Sequence, residues 1–440
     1  MSGRTSDDLL ALFDTAPLNR RYWVSFALLS ALFVLEFFDF LVVGYLLAVL
    51  GPQWHLTYGQ SALILYSGGV GSILGALVFG GLADMWGRKA QMIIGTFICA
   101  IAAGLIGLVP SGSWQIFAIV RFFVGVGLTA GVTPSLTILV ELTPTRHRTL
   151  LTSFYIVFAS AGGLLASTTS AALLAALGWR GVAMLGIAPA FVGILIWIFV
   201  PESVRWLVAK GRFAEARSGV AQQLDLRLQS VPLPTVRPAA PPRGKLSELY
   251  HQPRMFWETV LIWGGSSTAG YGVYLWGPTI VAMVLKVPVP QAAAYFIFVA
   301  LGGVVGKIFV TFLAPLMVIL LCASTFFIEG GFSNLAPYTV ESYGVNLGAR
   351  ASGLGQAANG VGKILGPLSL ALIAGTSNIL SPKATADAVL PAYLFLAFCM
   401  ALVGLSFLIL GVETHGRAMG ISSDTASPRR GTSVLGTEAR

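Results

Sequence analysis

Charge is what this sequence lacks. Of its 440 residues only 10% are charged, while 56% are hydrophobic; a soluble globular chain carries about 25% charged residues. So little polar surface cannot cover a folded chain in water, which leaves most side chains facing lipid or one another. Histidine and cysteine are scarce as well, with four and three copies. Cys99, Cys322 and Cys399 each lie in an apolar run without metal-ligand spacing, so they read as small core residues. His55, His147, His251 and His415 fall in loops or at helix ends, far apart in sequence. No nucleotide-binding loop, metal cluster or nucleophile with its base is present, so neither a cofactor nor an enzymatic activity is expected. The net charge of +9 is spread over short loops rather than interleaved with aromatics. Nucleic acid is therefore not expected as a partner, and the basic excess reads as membrane topology.

What the chain has is long apolar runs. A membrane-crossing helix needs about 20 apolar residues. Such runs cover residues 22–50, 60–82, 90–109, 114–140, 149–176 and 181–200, then 256–284, 291–313, 314–336, 351–375 and 390–411. The first is too long for a cleavable signal and is expected to remain as an anchor. The fold class expected is all-α integral membrane, with two pseudo-symmetric helix bundles of six and five spans around a central cavity. The bundles occupy 22–200 and 256–411, flanked by tails at 1–21 and 412–440, the second of them disordered. The linker 201–255 holds nine Lys/Arg and a Pro-rich segment at 231–242, and is expected to be partly disordered.

Basic residues orient the spans. Of 27 Lys and Arg, 21 fall in the N-terminal tail, the 83–89 and 141–148 loops, the linker, Arg350 and the C-terminal tail. The opposite loops hold only Arg180, Lys286 and Lys383, so the N-terminus is expected inside. Twenty Arg against seven Lys, with many Ala and Gly, points to a bacterial gene of high GC content and hence to a bacterial inner membrane.

The two halves repeat weakly. Spans 1 and 7 start about 234 residues apart and spans 2 and 8 about 231, but Glu141 to Arg148 and Glu341 to Arg350 are offset by only about 200. Some 31 residues are therefore missing from the second half, the length of a loop and a helix. The join near 308–321 has only Pro315 to interrupt an apolar run. A ninth helix has been lost there on this reading, and an odd number of spans would place Glu341 and Arg350 outside, against the basic bias.

Several charged groups stand where the bilayer makes charge costly. Arg121 lies some seven residues inside its span, at about 2.5–3.5 kcal/mol on insertion scales. It is expected to face the bundle interior and find an acid, with snorkelling to the surface as the alternative. Glu36 and Asp39, at i and i+3, share a helix face at matching depth. A carboxyl competing for a proton, for Arg121 and for an anionic substrate would couple transport to protons, the alternative being a static ion pair. Glu329 and Lys363 lie at mid-membrane depth in the second half and are expected to face the cavity as a pair. Gln356 and Asn359, on the helix of Lys363, offer polar contacts to a substrate, although Gly353, Gly355, Gly360 and Gly362 suggest close helix packing instead. Trp263, Tyr271, Tyr274 and Trp276 supply either stacking faces or interface anchors.

At the inner ends, Gly80-Gly81-Leu82-Ala83-Asp84-Met85-Trp86-Gly87-Arg88-Lys89 suits a tight turn between two helices. Asp84 is placed to pair with Arg88 or to sit against a helix N-terminus. This stretch resembles the G-x-L-A-D-x-x-G-R-K loop of the major facilitator superfamily. Arg121-x-x-x-Gly125-x-Gly127 in span 4, Glu141-x-x-Pro144-x-x-x-Arg148, and Pro201-Glu202-Ser203-Val204-Arg205-Trp206-Leu207 after span 6 resemble further patterns of that superfamily. The last is shared with its sugar porters and organic-acid carriers. Glu341 and Arg350 mirror the second. Glu36-Phe37-Phe38-Asp39 is similar to the D-G-x-D segment of its aromatic-acid:proton symporters.

The resemblance implies parallel six-helix repeats with a gate built from these inner-face charges, and no cofactor. The antiporter pattern of span 5 is absent, which favours symport. A proton-coupled symporter of a small organic solute, a carboxylate and by the symporter resemblance an aromatic one, is the function expected. The partners expected are the lipid bilayer, the solute and protons, and the chain is expected to be a monomer. A sugar porter, an exporter and a non-transporting sensor or defective paralogue are the alternatives.

Overall fold

The computed structural model describes residues 16–233, 246–312 and 328–411, with Leu9 and Leu12. At some helical positions, Gly80, Asp84, Glu329 and Glu341 among them, only the backbone is described. Residues 313–327, where the ninth helix is expected to be missing, lie outside the described residues, as do Cys322 and the tail beyond residue 411.

The described chain is helical apart from one isolated β-bridge. Its first half holds α1 (Arg20–Gln53), α2 (Tyr58–Trp86), α3 (Arg88–Ile106), α4 (Trp114–Leu142), α5 (Thr145–Met184) and α6 (Ala188–Phe199). Two short helices follow, α7 (Val204–Ala209) and α8 (Phe213–Leu224). The second half holds α9 (Pro253–Val284), α10 (Val289–Phe312), α11 (Ile328–Ala374) and α12 (Pro382–Leu410). Seven stretches among the described residues are long and apolar enough to cross a membrane. Phe298 and Leu408, 74% and 69% exposed, show how apolar the outer face is, as lipid requires.

Local chemistry ends each helix. Asn19 caps α1, its Oδ1 accepting from Tyr22 N at 2.8 Å. Gly87, at φ +102°, separates α2 from α3 in a conformation that disfavours side chains. Pro144 stops α4 and starts α5. Gly178, at φ 65°, kinks α5 where the sequence suggested a loop. The corresponding stretch in the second half is a correction: residues 328–374 form one helix, although a loop was expected from Glu341 to Arg350. The reason is chemical: between Glu341 and Arg350, Gly344 stands where Pro144 stands in the first half, so nothing in that segment removes an amide from the ladder, and Pro337 and Pro367 are carried inside the helix on either side of it. The described part of the linker includes two short helices, and residues 234–245 lie outside the described residues. Its α7 and α8 bury Trp206, Val208, Ala216 and Val220 against α1, α4 and α5.

The cores show where the halves meet. The end of the bundle carrying Arg88, Lys89, Arg148 and Arg205 is its basic end. There the two halves have separate cores, one around Phe26, Tyr155 and Trp206 and the other around Ile262, Trp263 and Tyr338. At the far end a single core joins Tyr45, Leu46 and Tyr58 of the first half to Leu275, Trp276 and Leu370 of the second. Backbone bonds tie this end shut: Tyr58 N donates to Asn378 O at 2.9 Å, Gly59 N to Thr376 O at 2.9 Å, and Leu380 N to Leu56 O at 3.1 Å. At Gly44 the crossing of α1 and α9 is so close that a Cβ would lie 2.7 Å from Leu275 O.

Candidate functional site

Between the halves lies a cavity of about 1080 Å³, its open mouth included. Phe33, Phe37 and Leu41 of α1 line it, with Leu128 to Leu136 on one face of α4 and Tyr155 to Gly163 on one face of α5. Trp263, Tyr271 and Tyr274 of α9 and Gln356, Asn359 and Lys363 of α11 form the opposite wall. With the far end joined by one core and the basic end split into separate ones, the mouth faces the basic end.

Lys363 is the single charged side chain among the described lining residues, and only 5% of it is exposed. Its Nζ stands 4.7 Å from the Phe40 ring centroid and 5.3 Å from that of Tyr271, and donates to Ser72 Oγ at 3.5 Å. An ammonium over two aromatic faces is stabilised without a counter-ion, which leaves it able to attract an anion. The expected partner Glu329 has no described side chain. Gln356, Asn359 and Lys363, at i, i+3 and i+7, share one face of α11. Asn359 Nδ2 donates to Gln356 Oε1 at 3.2 Å, and Ser267 Oγ donates to Asn359 Oδ1 at 2.6 Å. Two glycines of the same helix, Gly355 and Gly362, pack on other faces, while Gly353 is exposed with nothing against it. A Cβ at Gly355 would lie 2.6 Å from Trp263 Nε1, and Gly362 abuts Ser267 and Gly264. The polar and the packing readings of this helix thus describe different faces of it.

The acids of α1 are placed otherwise than expected. At 100° per residue, Asp39 lies about 160° from the stripe formed by Phe33, Phe37 and Leu41, and Glu36 about 100° from it. Both are buried inside the first half, away from the cavity. Glu36 Oε1 accepts from Thr96 Oγ1 at 3.2 Å and rests against Gly131. Asp39 Oδ1 rests against Gly186, so closely that a Cβ there would stand 2.7 Å away. Arg121 is fully buried, as its position inside the membrane requires, but does not hydrogen-bond to the Asp39 carboxylate. Its Nη1 donates to Asp39 O at 2.8 Å and its Nη2 to Phe40 O at 3.0 Å. Helix carbonyls keep a second lone pair, and these are the oxygens that α1 turns toward α4. Both carboxylate oxygens of Asp39 and Oε2 of Glu36 are left without a hydrogen-bond partner among the described residues.

Residues 27–262 match the family described as sugar (and other) transporter. The chain belongs to that family. It is a membrane transporter with the fold of the major facilitator superfamily. The chain is 24% identical to the niacin transporter of Acinetobacter baylyi, over 94% of this chain and 99% of that one. It is 31% identical to the 4-hydroxybenzoate transporter of the same organism, over 48% of this chain and 46% of that one. Among solved structures, a D-xylose-proton symporter superposes with a TM-score of 0.63 at 18% identity, covering 90% of this chain and 99% of the other, which shows the fold alone.

In this member of the sugar transporter family the motif charges at the basic end brace the first half internally. Glu202 Oε1 accepts from Arg88 N at 3.1 Å and Lys89 N at 2.9 Å, so it caps α3. A Cβ at Gly87 would collide with the same carboxylate. Arg88 pairs with Glu141 and donates to Ser203 Oγ at 3.0 Å, while Ser203 donates to Glu141 Oε2 at 2.5 Å. The expected acid for Arg88 was Asp84, whose side chain is not described; Glu141 reaches Arg88 from α4. Lys89 Nζ donates to Trp197 O at 2.6 Å, and Arg148 donates to Thr143 O at 3.2 Å across the break between α4 and α5. Arg205 is exposed at the rim of a small cleft beside Glu141 and Glu202, and Arg350 is half-buried. The side chain of Glu341 is not described.

Trp276 is also displaced from its expected place. It is buried in the far-end core, its Nε1 donating to Pro367 O at 2.7 Å, and does not line the cavity. Sequence reasoning missed Phe33, Phe37 and Tyr155, the aromatics of the first-half wall. The spacing of Phe33, Phe37 and Leu41 by fours carried that signal. It also missed Glu258, buried in the second half, where Tyr338 OH donates to its Oε1.

Proposed function

We propose that the chain takes up a small organic anion, a carboxylate with an aromatic ring, by proton symport with alternating access. The observation that carries this reading is Lys363, the one charged side chain among the described residues lining a cavity walled by Phe33, Phe37, Tyr155, Trp263, Tyr271 and Tyr274. An ammonium positions a carboxylate, and the rings stack on a planar substrate while excluding water. Relatives named as transporters of niacin and 4-hydroxybenzoate carry acids of this kind, which supports the reading.

Asp39 and Glu36 are the proton carriers in this proposal. A charge on either would be buried, with oxygens that have no hydrogen-bond partner among the described residues, and a bound proton removes that charge. The Arg121 guanidinium spans from the Asp39 carbonyl to the Phe40 carbonyl, and the Phe40 ring also meets Lys363. Proton release and substrate release are thus linked through one stretch of α1. The basic end is cytoplasmic by the distribution of Lys and Arg, so the cavity faces inward in a bacterial inner membrane, and the chain acts as a monomer.

The test is uptake of labelled benzoate into cells expressing the chain, with and without a protonophore. Accumulation that collapses with the proton gradient supports symport. Accumulation that persists rejects it, and uptake of neutral sugars in place of benzoate rejects the anion reading.

A further inference from the structure

After α8 the linker makes a turn that is pinned on both sides. α8 closes at Asp225, whose φ of +56° reverses the chain, and Leu226 N donates back to Ala221 O at 2.9 Å. A short 3-10 turn follows at Leu228–Ser230, and Arg217 Nε donates to Val231 O at 2.8 Å, which draws the chain back onto α8. Val231 is buried in the first-half core, whereas Leu226, Arg227 and Leu228 are exposed. The turn thus displays two leucines, 41% and 49% exposed, on either side of an arginine.

The first turn of α1 sets its height. Asn19 Nδ2 donates to Gln223 O at 2.7 Å, Arg21 donates to Gln222 O, and Arg21 pairs with Asp225 at 3.0 Å. The end of α8 therefore lies level with Arg20 and Arg21, just where the first apolar run starts at Tyr22. Trp23 and Val24, three residues on from Arg20 and Arg21, are exposed on the outward face of α1. Arginines giving way to an exposed tryptophan and then to apolar side chains mark the level of the lipid headgroups. Outward leucines bury nothing in water, but at this level they meet the upper acyl chains. Arg20 and Arg227 make no side-chain hydrogen bond or ion pair among the described residues, while Asp225 is already neutralised by Arg21.

We propose that the turn Leu226–Leu228 is a lipid-binding element specific for anionic phospholipid. Its two leucines enter the membrane face at the basic end, and Arg227 takes the headgroup phosphate, with Arg20 at the same level adding to the positive field. The lipid would hold the linker helices against the inner end of α1, the helix that carries Glu36, Asp39 and Phe40.

A bimane label at Leu228→Cys tests this in the full-length protein in nanodiscs, with Cys322 and Cys399 replaced by Ala. Brominated phosphatidylglycerol and brominated phosphatidylcholine are the probes, with aqueous iodide as the third quencher. Both lipids are expected to quench, with a relative association constant about fivefold in favour of phosphatidylglycerol, the effect of one arginine near an anionic surface. Arg227→Gln should bring that ratio close to one. Quenching by iodide and by neither lipid would put the turn in water and overturn the proposal. Protection from all three quenchers would mean that a protein surface or a second copy covers the turn, and overturns it as well. Equal constants for the two lipids in the wild type, or a ratio unchanged in Arg227→Gln, also overturn it. Thermal unfolding of the unlabelled protein gives a second reading: added phosphatidylglycerol should raise the transition temperature of the wild type more than that of Arg227→Gln, and equal rises reject the site.

Discussion

Lys363 holds its ammonium 4.7 Å from the centre of the Phe40 ring, and the Arg121 guanidinium stands 5.5 Å from the same centre. One ring on α1 therefore carries a cation from the second half and another from the first. Phe40 follows Asp39 directly, so the cavity and the buried acids are joined by two consecutive residues.

Replacing Lys363 with Met should lower carboxylate binding by about 10- to 100-fold, the loss of one charged hydrogen bond of about 1.5–3 kcal/mol. Neutral aromatic compounds should bind the variant no worse than the wild type. Titration calorimetry with both ligand classes measures the difference.

Asp39→Asn should abolish proton-driven accumulation while leaving exchange of substrate across proteoliposomes intact. The amide cannot take up and release a proton, and the Arg121 bonds run to backbone carbonyls that the substitution keeps. The pH dependence of exchange should flatten in the variant. Loss of exchange together with accumulation would mean that Asp39 supports the fold rather than the coupling.

The far-end seal includes the Tyr58 hydroxyl, 2.6 Å from Thr385 Oγ1. Tyr58→Phe removes that bond and should shift the population toward a far end that is open, by about 1 kcal/mol or roughly fivefold. Spin labels at Gln53 and Lys383 would report the shift as a longer distance between the halves.

At the basic end, Glu202→Ala should cost about 1 kcal/mol by uncapping α3. Gly87→Ala should cost about as much or more, because it strains a φ of +102° and crowds the same carboxylate. The double variant should lose less than the sum, since both act on one contact. Thermal unfolding in detergent compares the three.

The sequence by itself determined that this is a helical membrane protein, because a chain so poor in charge has no soluble alternative. It also determined the spans of the first half and the family motifs, whose glycines, prolines and charges act over a few residues. Gln356, Asn359 and Lys363 were legible too, since their spacing on one helix puts them on one face. Only the tertiary structure decided what those residues meet. Glu36 and Asp39 are close to Arg121 in depth, but depth along a helix says nothing of direction around it, and the carboxylates neither hydrogen-bond to Arg121 nor line the cavity. Arg88 finds Glu141 and Ser203, and Glu202 finds the start of α3, across 114 residues of chain. The seal between Thr57 and Ile379 joins residues of opposite halves, with no pattern in either segment to announce it. Helix formation and membrane insertion are local and read from composition. Which side chain faces which partner depends on how helices rotate and cross, and that is set by the packing of the whole bundle.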